Sequence, residues 1–441
     1  MSRQLIQNLK NKYTGKKILV VGLGLQGGGV GIAKFFVDLG AKVTVTDKKD
    51  ESKLLESINK LKGFDIQLHL GGHNIDDFIN ADVIFKGPSV LWTSPEIVEA
   101  GKKGIPVEME MSFVVENYPG KVIGITGTRG KSTTTHLIYN LLRESGFKVS
   151  LGGGLPGIST IDCLKEADEN SWLVAELSSW ALSGFHRKKI SPHIAVFTNF
   201  YPDHLNYYKN LEDYFYDKQA IFQYQKKEDY LVVNLNLKNK ITLSAINFSK
   251  KDFPTELTQL KGDHNLENAG AALKVAEILK IDRNKAVEII KNFGGLPYRL
   301  QIIGKKDHIT FINDTTSTTP IATIKAIESL KDKKIILFLG GNSKNLPKEQ
   351  LVEKLNLVDK IILLAGSFTD EILSDLKRNY SEKLVGPYDN LEQAVDEGYR
   401  LVKKINEECC LLFSPGATSF AMFNNEFHRG DEFNRIIKKL L

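Results

Sequence analysis

The segment ITGTRGKST at positions 125–133 has the residue types of a phosphate-binding loop. Gly127 and Gly130 can adopt the positive-φ turns that aim backbone N–H groups at a triphosphate. Lys131 can reach the β and γ oxygens, and the Ser132 hydroxyl can hold Mg²⁺. The usual spacing has a glycine where Ile125 stands, so this is a variant loop. A strand pattern before it and a helical pattern over 133–142 supply the expected context, and the segment predicts ATP binding.

Two further polar residues follow predicted strands. Glu176 comes after the apolar run at 172–175, and His204 follows the run at 194–198 within the segment NFYPDH. Parallel sheets place ligands beyond the carboxyl ends of their strands. Because carboxylate oxygens and imidazole nitrogens bind divalent ions, both residues are candidate metal ligands beside the phosphates.

Lys218 lies on the apolar side of a predicted amphipathic helix, seven residues after Leu211. By periodicity alone, the simpler interpretation is a lysine whose stem packs while its ammonium reaches water. The alternative is a buried, chemically altered amine. The segment GDHNLEN at 262–268 also has two interpretations. It caps the predicted helix at 269–279, or it contributes residues to a binding site.

The beginning of the chain contains a second glycine-rich turn, GLGLQG at 22–27, between a β-branched run at 18–21 and a helical pattern at 30–39. A strand at 42–46 follows and is closed by Asp47. This βαβ pattern matches a dinucleotide-binding fingerprint, whose glycines bring backbone amides to a pyrophosphate. It predicts a bound nucleotide diphosphate, with a plain tight turn as the alternative. A nicotinamide cofactor stays possible from this segment alone.

The last third of the chain repeats the strand-and-helix alternation, with predicted strands at 309–312, 334–339, 360–364 and 410–413. Three polar loops follow strands there: NDTTSTTP at 313–320, GGNSK at 340–344 and SPGATS at 414–419. Loops rich in small hydrogen-bond donors are typical of a site that recognises a charged small molecule.

Length and composition fit this organisation. The 441 residues suit about three domains at roughly 100–200 residues each. Hydrophobic residues make up 42% and charged residues 25%, which is ordinary globular usage. The net charge of +6 fits an anionic substrate as well as nucleic acid. The expected fold class is α/β, with domains over residues 1–112, 113–294 and 295–441.

Cysteine usage and hydropathy indicate the cellular compartment of the protein. The three cysteines lack the spacing of a metal site or a disulfide framework. No apolar stretch reaches the roughly 18 residues that span a bilayer, and the first residues lack a signal-peptide core. We therefore expect a soluble, cytoplasmic protein without disulfides.

The ordered set of motifs resembles the Mur ligase family. It comprises GLGLQG, ITGTRGKST, ELSSW, NFYPDH, GDHNLEN, LPYR, IND, GGNSK and SPGATSF followed by EFHRG. The resemblance implies a Rossmann-like UDP-binding domain, a central P-loop ATPase domain and a C-terminal Rossmann-like domain. It implies an ATP-dependent amide ligase that adds glutamate to UDP-N-acetylmuramoyl-L-alanine through an acyl phosphate, in peptidoglycan precursor synthesis. Nucleic acid and stable membrane association are not expected.

The resemblance also implies residue roles. Lys131, Glu176, His204 and a carbamylated Lys218 are the expected catalytic residues, and two Mg²⁺ ions lie near Ser132, Glu176, His204 and Lys218. The expected ATP site comprises Gly127, Thr128, Arg129, Gly130, Lys131, Ser132, Thr133, Asn268, Arg299 and Asp314. The UDP-substrate site comprises Leu25, Gln26, Asp47, Lys48 and Ser89, with 86–89 as a second wall. The glutamate site comprises Thr318, Lys344 and Ser419.

Three departures from the family pattern accompany the resemblance. Arg129 replaces a common Asn, the loop at 151–154 lacks an Asn that often contacts substrate, and Thr316 stands where D-glutamate-adding members usually have a lysine. D-glutamate is the expected substrate, with L-glutamate as the alternative. A NAD-dependent dehydrogenase and a non-catalytic nucleotide-binding protein are the more distant alternatives.

Overall fold

The structure is a computed structural model that describes residues 2–25, 27–153, 159–203, 207–258, 260, 262–343, 346–419, 423 and 425–441. The chain divides into two compact units, residues 1–293 and 294–441. The described residues of the first unit form two sheets, and those of the second unit form a third. The predicted α/β class is therefore confirmed, while the domain boundaries at 112/113 and 294/295 stay predictions.

The first sheet is parallel, with the strand order β3-β2-β1-β4-β5. Four of the five residues of β1 are buried, as expected for a parallel strand covered on both faces. The strands are β1 Lys17–Val21, β2 Lys42–Asp47, β3 Ile66–Leu70, β4 Val83–Lys86 and β5 Val107–Glu108. The accompanying helices are α1 Ser2–Tyr13, α2 Gly28–Asp38, α3 Leu55–Leu61, α4 Ile75–Ile79, α5 Pro95–Lys102 and α6 Glu110–Asn117.

The second sheet is also parallel, with the order β11-β10-β9-β6-β8-β7. Its strands are β6 Lys121–Thr126, β7 Val149–Gly152, β8 Trp172–Glu176, β9 Ile194–Phe197, β10 Tyr230–Asn234 and β11 Ile246–Phe248. Its helices are α7 Lys131–Glu144, α8 Ser179–Lys188, α9 Leu211–Gln223, α10 Asp263–Ile278 and α11 Arg283–Lys291. Since α10 already begins at Asp263, the prediction that 262–268 is a cap before a helix at 269 is wrong.

The third sheet, in the second unit, has the order β12-β13-β17-β14-β15-β16, and only the β12–β13 pair is antiparallel. Its strands are β12 Gln301–Lys306, β13 Ile309–Asn313, β14 Lys334–Gly340, β15 Lys360–Leu364, β16 Leu384–Tyr388 and β17 Cys409–Phe413. Its helices are α12 Pro320–Ser329, α13 Glu349–Lys354, α14 Ser367–Tyr380, α15 Leu391–Val402 and α16 Glu426–Leu440.

The strand orders locate the ligand-binding edge of each sheet. In the first sheet β1 lies between β2 and β4, and in the second β6 lies between β8 and β9. Each is a point where the winding direction reverses, so a crevice opens beyond the carboxyl end of the strand. Both glycine-rich turns of the first unit follow these two strands. No helix in the described part of the chain combines the length and apolar character of a membrane span.

Candidate active site

The glycines of the predicted phosphate-binding loop are required by its shape. Gly127 has φ +147° and Gly130 has φ +81°, both in the region that favours glycine. A Cβ on Gly127 would lie 1.9 Å from the Thr198 hydroxyl oxygen, and one on Gly130 would lie 2.5 Å from Asn268 Oδ1. The loop therefore packs its backbone closely against β9 and α10, in the way that a backbone anion cradle requires.

Lys131 begins α7 and curls back over this loop. Its Nζ donates to the carbonyls of Gly127 and Thr128, both at 3.2 Å. Ser132 and Thr133 follow in the first turn, half-buried. A helix N-terminus, an ammonium group and two hydroxyls make a donor set that suits a triphosphate with Mg²⁺. The residues present therefore fit ATP and its metal.

The charge of Arg129 is balanced locally. Its guanidinium is 2.9 Å from Asp203 Oδ2, and its backbone N–H donates to Asn199 Oδ1 at 2.8 Å. Its carbonyl accepts from the Thr198 hydroxyl at 2.6 Å. Thr128, which precedes it, is buried and donates to the carbonyl of Tyr201. The arginine that departs from the family pattern thus adds little net charge beside the phosphate loop.

Lys218 is buried under the phosphate loop, with 1% of its surface exposed. Its Nζ donates to the Gly127 carbonyl at 2.8 Å and to the Thr126 hydroxyl at 3.3 Å. Burial, and then the charge of Lys131, lower the pKa of Lys218 well below its usual value. The interpretation in which this ammonium reaches water is therefore wrong. Lowering the pKa of a buried amine increases the share of its neutral, nucleophilic form.

Glu176 lies at the end of β8, where it pairs in register with Ile125 of β6 and is therefore beside the phosphate loop. Its charge acts on the Lys218 amine, whose pKa it raises against the effect of burial. His204 lies outside the described residues. Among the residues that are described, no three His, Cys, Asp or Glu side chains gather as a metal site.

A cavity of about 710 Å³ lies in the first unit, and it includes the first glycine-rich turn and the end of β8. Its lining includes Gly22, Gly24, Asp47, Lys48, Ser89 and Glu176. This volume is in the range of small-molecule sites, which is roughly 300–1,000 Å³. The cavity therefore extends from the first sheet's glycine turn to the end of β8.

The residues of the predicted UDP site have different surroundings. Asp47 is buried, and its carboxylate accepts from the N–H groups of Gly24 and Lys49 at 3.1 and 2.9 Å. Lys48 is exposed, and Leu25 packs against the core of the first unit. Gln26 lies outside the described residues. Asp47 thus fixes the glycine turn and lines the cavity.

Glu110 is a cavity residue that the sequence analysis missed. It lines the cavity, and one of its oxygens lies 3.1 Å from where a Cβ on Gly28, at the start of α2, would be. Its carboxylate accepts from the Ser159 hydroxyl at 2.6 Å and from Ile161 N–H at 3.0 Å. Burial raises the pKa of Glu110. The sequence does not show that Glu110 contacts the glycine-rich start of α2, so its role could not be predicted.

The three residues expected around adenine and ribose belong to different units. Asn268, in the first unit, accepts from the Thr134 hydroxyl at 3.1 Å and packs on the phosphate loop. In the second unit, Arg299 is exposed and Asp314 is buried. Asp314 accepts from Ser414 Oγ at 2.7 Å and from Leu300 N–H at 3.0 Å. Burial raises the pKa of Asp314 to about 6.

The loops predicted to bind glutamate meet at the carboxyl edge of the third sheet. Gly416 N–H donates to the carbonyl of Ser317 at 2.9 Å, which joins the loops after β17 and β13. Asn342 and Thr418 form a two-way backbone bridge between the loops after β14 and β17. Thr318, half-buried, is in the first of these loops. Ser419 is buried, and its hydroxyl has no hydrogen-bond partner among the described residues, whereas Lys344 lies outside them.

Arg429 of α16 holds two of these loops and was not assigned a role from sequence. The side chain is 1% exposed. Its guanidinium donates to Thr315 Oγ1 at 2.9 Å, to the Thr315 carbonyl at 2.8 Å and to the Ala417 carbonyl at 3.2 Å. Burial lowers the pKa of Arg429 to about 9. The only signal in sequence was its place in the EFHRG segment.

Three family models match the chain in order. They are the Mur ligase MurD-like N-terminal domain over residues 16–108, the Mur ligase middle domain over 125–255 and the Mur ligase glutamate ligase domain over 298–415. A UDP-N-acetylmuramoylalanine–D-glutamate ligase of Borreliella afzelii is 34% identical, across 96% of this chain and 97% of that protein. The chain belongs to the Mur ligase family. A ligase with the same name from Roseiflexus sp. is 32% identical, across 97% of this chain and 99% of that protein.

As a member of the Mur ligase family, the protein is an ATP-dependent, ADP-forming amide ligase that uses Mg²⁺, as predicted. The alternative of a dehydrogenase loses its support. Its fold resembles the crystal structure of UDP-N-acetylmuramate–alanine ligase MurC from Thermotoga maritima, with a TM-score of 0.58 and 19% identity over 97% of this chain and all of that chain.

Proposed function

We propose that this Mur ligase joins D-glutamate to UDP-N-acetylmuramoyl-L-alanine in peptidoglycan precursor synthesis, with cleavage of ATP to ADP and phosphate. The two relatives at 34% and 32% identity carry the name of this activity over nearly their full length. The glutamate ligase domain model over 298–415 supports the choice of amino acid.

The observation that carries the proposal is the cavity that ends at Glu176. One end is the glycine turn before α2, which suits a diphosphate at a helix N-terminus. The other end lies at β8, whose neighbour β6 leads into the phosphate loop. A substrate with a nucleotide diphosphate at one end and a carboxylate at the other matches both ends. Leu25, Gln26, Asp47, Lys48 and Ser89 are the residues proposed to hold the uridine diphosphate.

The proposed reaction proceeds in two balanced steps. A carboxylate oxygen of the alanine attacks the γ-phosphorus of ATP, the bond to the β,γ-bridging oxygen breaks, and ADP leaves. The glutamate amine then attacks the acyl carbon, loses a proton, and expels phosphate as the C–O bond breaks. Lys131, whose Nζ donates to the Gly127 carbonyl of the phosphate loop, is proposed to stabilise the charge that develops on the transferred phosphoryl group, mainly by electrostatics. Gly127, Thr128, Arg129, Gly130, Ser132, Thr133, Asn268, Arg299 and Asp314 are proposed to bind ATP.

A carbamate on Lys218 is the proposed reason for the burial of this residue. A neutral amine adds to CO₂ and loses a proton to give an anionic oxygen donor, and the lowered pKa of Lys218 favours the neutral form. Ser132, Glu176, His204 and the carbamate would hold two Mg²⁺ ions, which neutralise phosphate charge when bound. Without the carbamate, Lys218 offers a metal only a nitrogen whose hydrogens point at Gly127 and Thr126.

For glutamate, we propose that Thr318, Ser419 and Lys344 bind the two carboxylates. The Ser419 hydroxyl is buried and has no partner within the part of the chain that the structure describes, which suits a donor reserved for ligand. Thr316 gives a specific reason to retain L-glutamate as a second candidate, because it stands in place of the usual lysine. Its hydroxyl already donates to the Tyr298 carbonyl at 2.8 Å.

The deciding assay measures phosphate release with UDP-N-acetylmuramoyl-L-alanine, ATP, Mg²⁺ and each glutamate enantiomer separately, followed by chiral analysis of the hydrolysed product. We expect release and D-glutamate incorporation only with the D-enantiomer. Product that contains L-glutamate alone would replace the amino acid and keep the ligase chemistry. No release with either enantiomer would overturn the proposed function.

A further inference from the structure

One indole and two cations join the wall of the cavity to helix α8. Lys86 ends β4, Trp92 follows it in the loop 87–94, and Arg187 lies in the last turn of α8. Lys86 Nζ is 4.4 Å from the centroid of the Trp92 ring, and the Arg187 guanidinium carbon is 4.5 Å from it. Both distances are well inside the roughly 6 Å range of cation–π attraction.

A hydrogen-bond relay extends the same contact toward the cavity. Trp92 Nε1 donates to Ser183 Oγ at 2.9 Å, and Ser183 Oγ donates to the Trp180 carbonyl at 2.6 Å. Trp180 and Ala181, at the start of α8, line the cavity. These contacts join a loop of the first sheet to α8, the helix that follows Glu176. We call the group formed by Lys86, Trp92, Ser183 and Arg187 the Trp92 clamp.

Both cations of the clamp lie over the indole, Lys86 from the buried side and Arg187 as an exposed side chain. In the described part of the chain, neither Lys86 nor Arg187 forms a salt bridge. Lys86 is 1% exposed, and its Nζ donates to the Val90 carbonyl at 2.8 Å. Burial lowers the pKa of Lys86 to about 8, against the opposing charge of Asp217. An aromatic face is an effective partner for a cation that has lost its water.

The backbone between Lys86 and Trp92 is itself cavity wall. Residues 86–91 line the cavity, and so do Trp180 and Ala181. A loop held only at its two ends would move relative to α8, and a displacement of about 1 Å in a binding wall is costly to affinity and rate. The clamp holds the loop at Trp92, the sixth of its eight residues.

We propose that Trp92 is a positioning residue for the nucleotide-sugar substrate, because it fixes loop 87–94 against α8 and so sets the cavity wall formed by residues 87–91. This inference rests on the proposed function. A purely structural role of Trp92 would affect the binding of all three substrates, whereas the proposed role affects only the nucleotide sugar. Binding of ATP, whose loop follows β6, should not depend on Trp92.

The test compares Trp92→Phe and Trp92→Leu with wild type in direct titrations of UDP-N-acetylmuramoyl-L-alanine and in steady-state kinetics. The Phe variant keeps an aromatic face and loses the N–H donor, whereas the Leu variant loses both. We expect the Kd for the nucleotide sugar to rise about threefold for Phe and about tenfold for Leu, with KM for ATP changed less than about twofold. Trp172→Leu is the matched control, since Lys121 lies 5.6 Å from that ring and Trp172 does not line the cavity.

A second pair of variants guards against misfolding. Arg187 is exposed, so Arg187→Met should fold and should raise the same Kd about threefold. Arg143→Met is its control, because Arg143 lies over the Tyr139 ring at 5.7 Å on α7. Unchanged Kd values in folded Trp92→Leu or in Arg187→Met would overturn the clamp, as would equal losses for ATP and the nucleotide sugar. Wild type that binds no nucleotide sugar would overturn the proposed function instead.

Discussion

Replacement of Lys218 by Met separates the chemical role of this residue from its structural role. Met has a similar length and removes the amine. Gly127 O still accepts from Lys131 Nζ at 3.2 Å, and the Thr126 hydroxyl still donates to the Leu177 carbonyl at 2.7 Å. No partner is left unsatisfied, so the free energy of unfolding should change by no more than about 1–2 kcal/mol.

Activity should respond very differently from stability. The variant lacks the proposed anionic ligand, and loss of one preorganised electrostatic group typically costs about 10²–10³ in kcat, or about 2.7–4 kcal/mol of transition-state stabilisation. The assay is phosphate release at saturating substrates, with urea unfolding run in parallel. Wild-type enzyme in CO₂-depleted buffer should also lose activity and regain it when bicarbonate is added.

Chemical rescue provides the sharpest control for Lys218. Lys218→Ala leaves space for a small carboxylate, so acetate should restore part of its activity. Lys131→Ala lacks a cation instead, so acetate should not help it. Near-normal turnover by Lys218→Met, or equal acetate responses in the two Ala variants, would refute the carbamate.

Three further variants test other parts of the site. Lys131→Met should lower kcat about 10²–10³-fold with the fold intact, and normal turnover at saturating ATP would contradict its role. Gly130→Ala should lower stability by about 1–2 kcal/mol and raise KM for ATP, because φ is +81° and the new Cβ would meet Asn268 Oδ1; thermal unfolding and ATP titration measure both. Because the pKa of Asp314 is raised to about 6, its contribution to stability is full below pH 4 and is lost as pH rises through about 6. Between pH 4 and 7, the free energy of unfolding of wild type should therefore fall by about 2 kcal/mol relative to that of Asp314→Asn, as measured by urea titration. If the two free energies change with pH in parallel, this reasoning is wrong.

The glycine turns and central strands could be predicted because local chemistry determines them. A β-branched run followed by glycines and a helical pattern predicted β1 with α2 and β6 with α7. The buried strands β13, β14, β15 and β17 were also predicted within a residue or two. Their side chains are almost wholly buried, so their sequences are nearly continuous apolar runs.

Edge strands and long-range contacts were harder to predict. The edge strands β12 and β16 were missed, since both are only partly buried and contain polar residues or Pro. The sequence pattern put Lys218 on a helix face, but could not show that the face packs under a glycine loop 91 residues earlier in the chain. Trp92 contacts Ser183 and Arg429 contacts Thr315, about 90 and 110 residues away in the chain, and the sequence does not reveal such contacts.

The anchoring of the second unit's loops by Arg429 bears on how substrate preference can evolve. The guanidinium donates to the Thr315 carbonyl at the base of the loop after β13, and Thr316 and Thr318 follow this contact in the chain. Substitutions at those two positions can alter the loop tip without loosening its base. If glutamate binds at the proposed site, amino-acid preference can therefore change by single replacements in one short segment, while the sheet and the neighbouring loops stay the same.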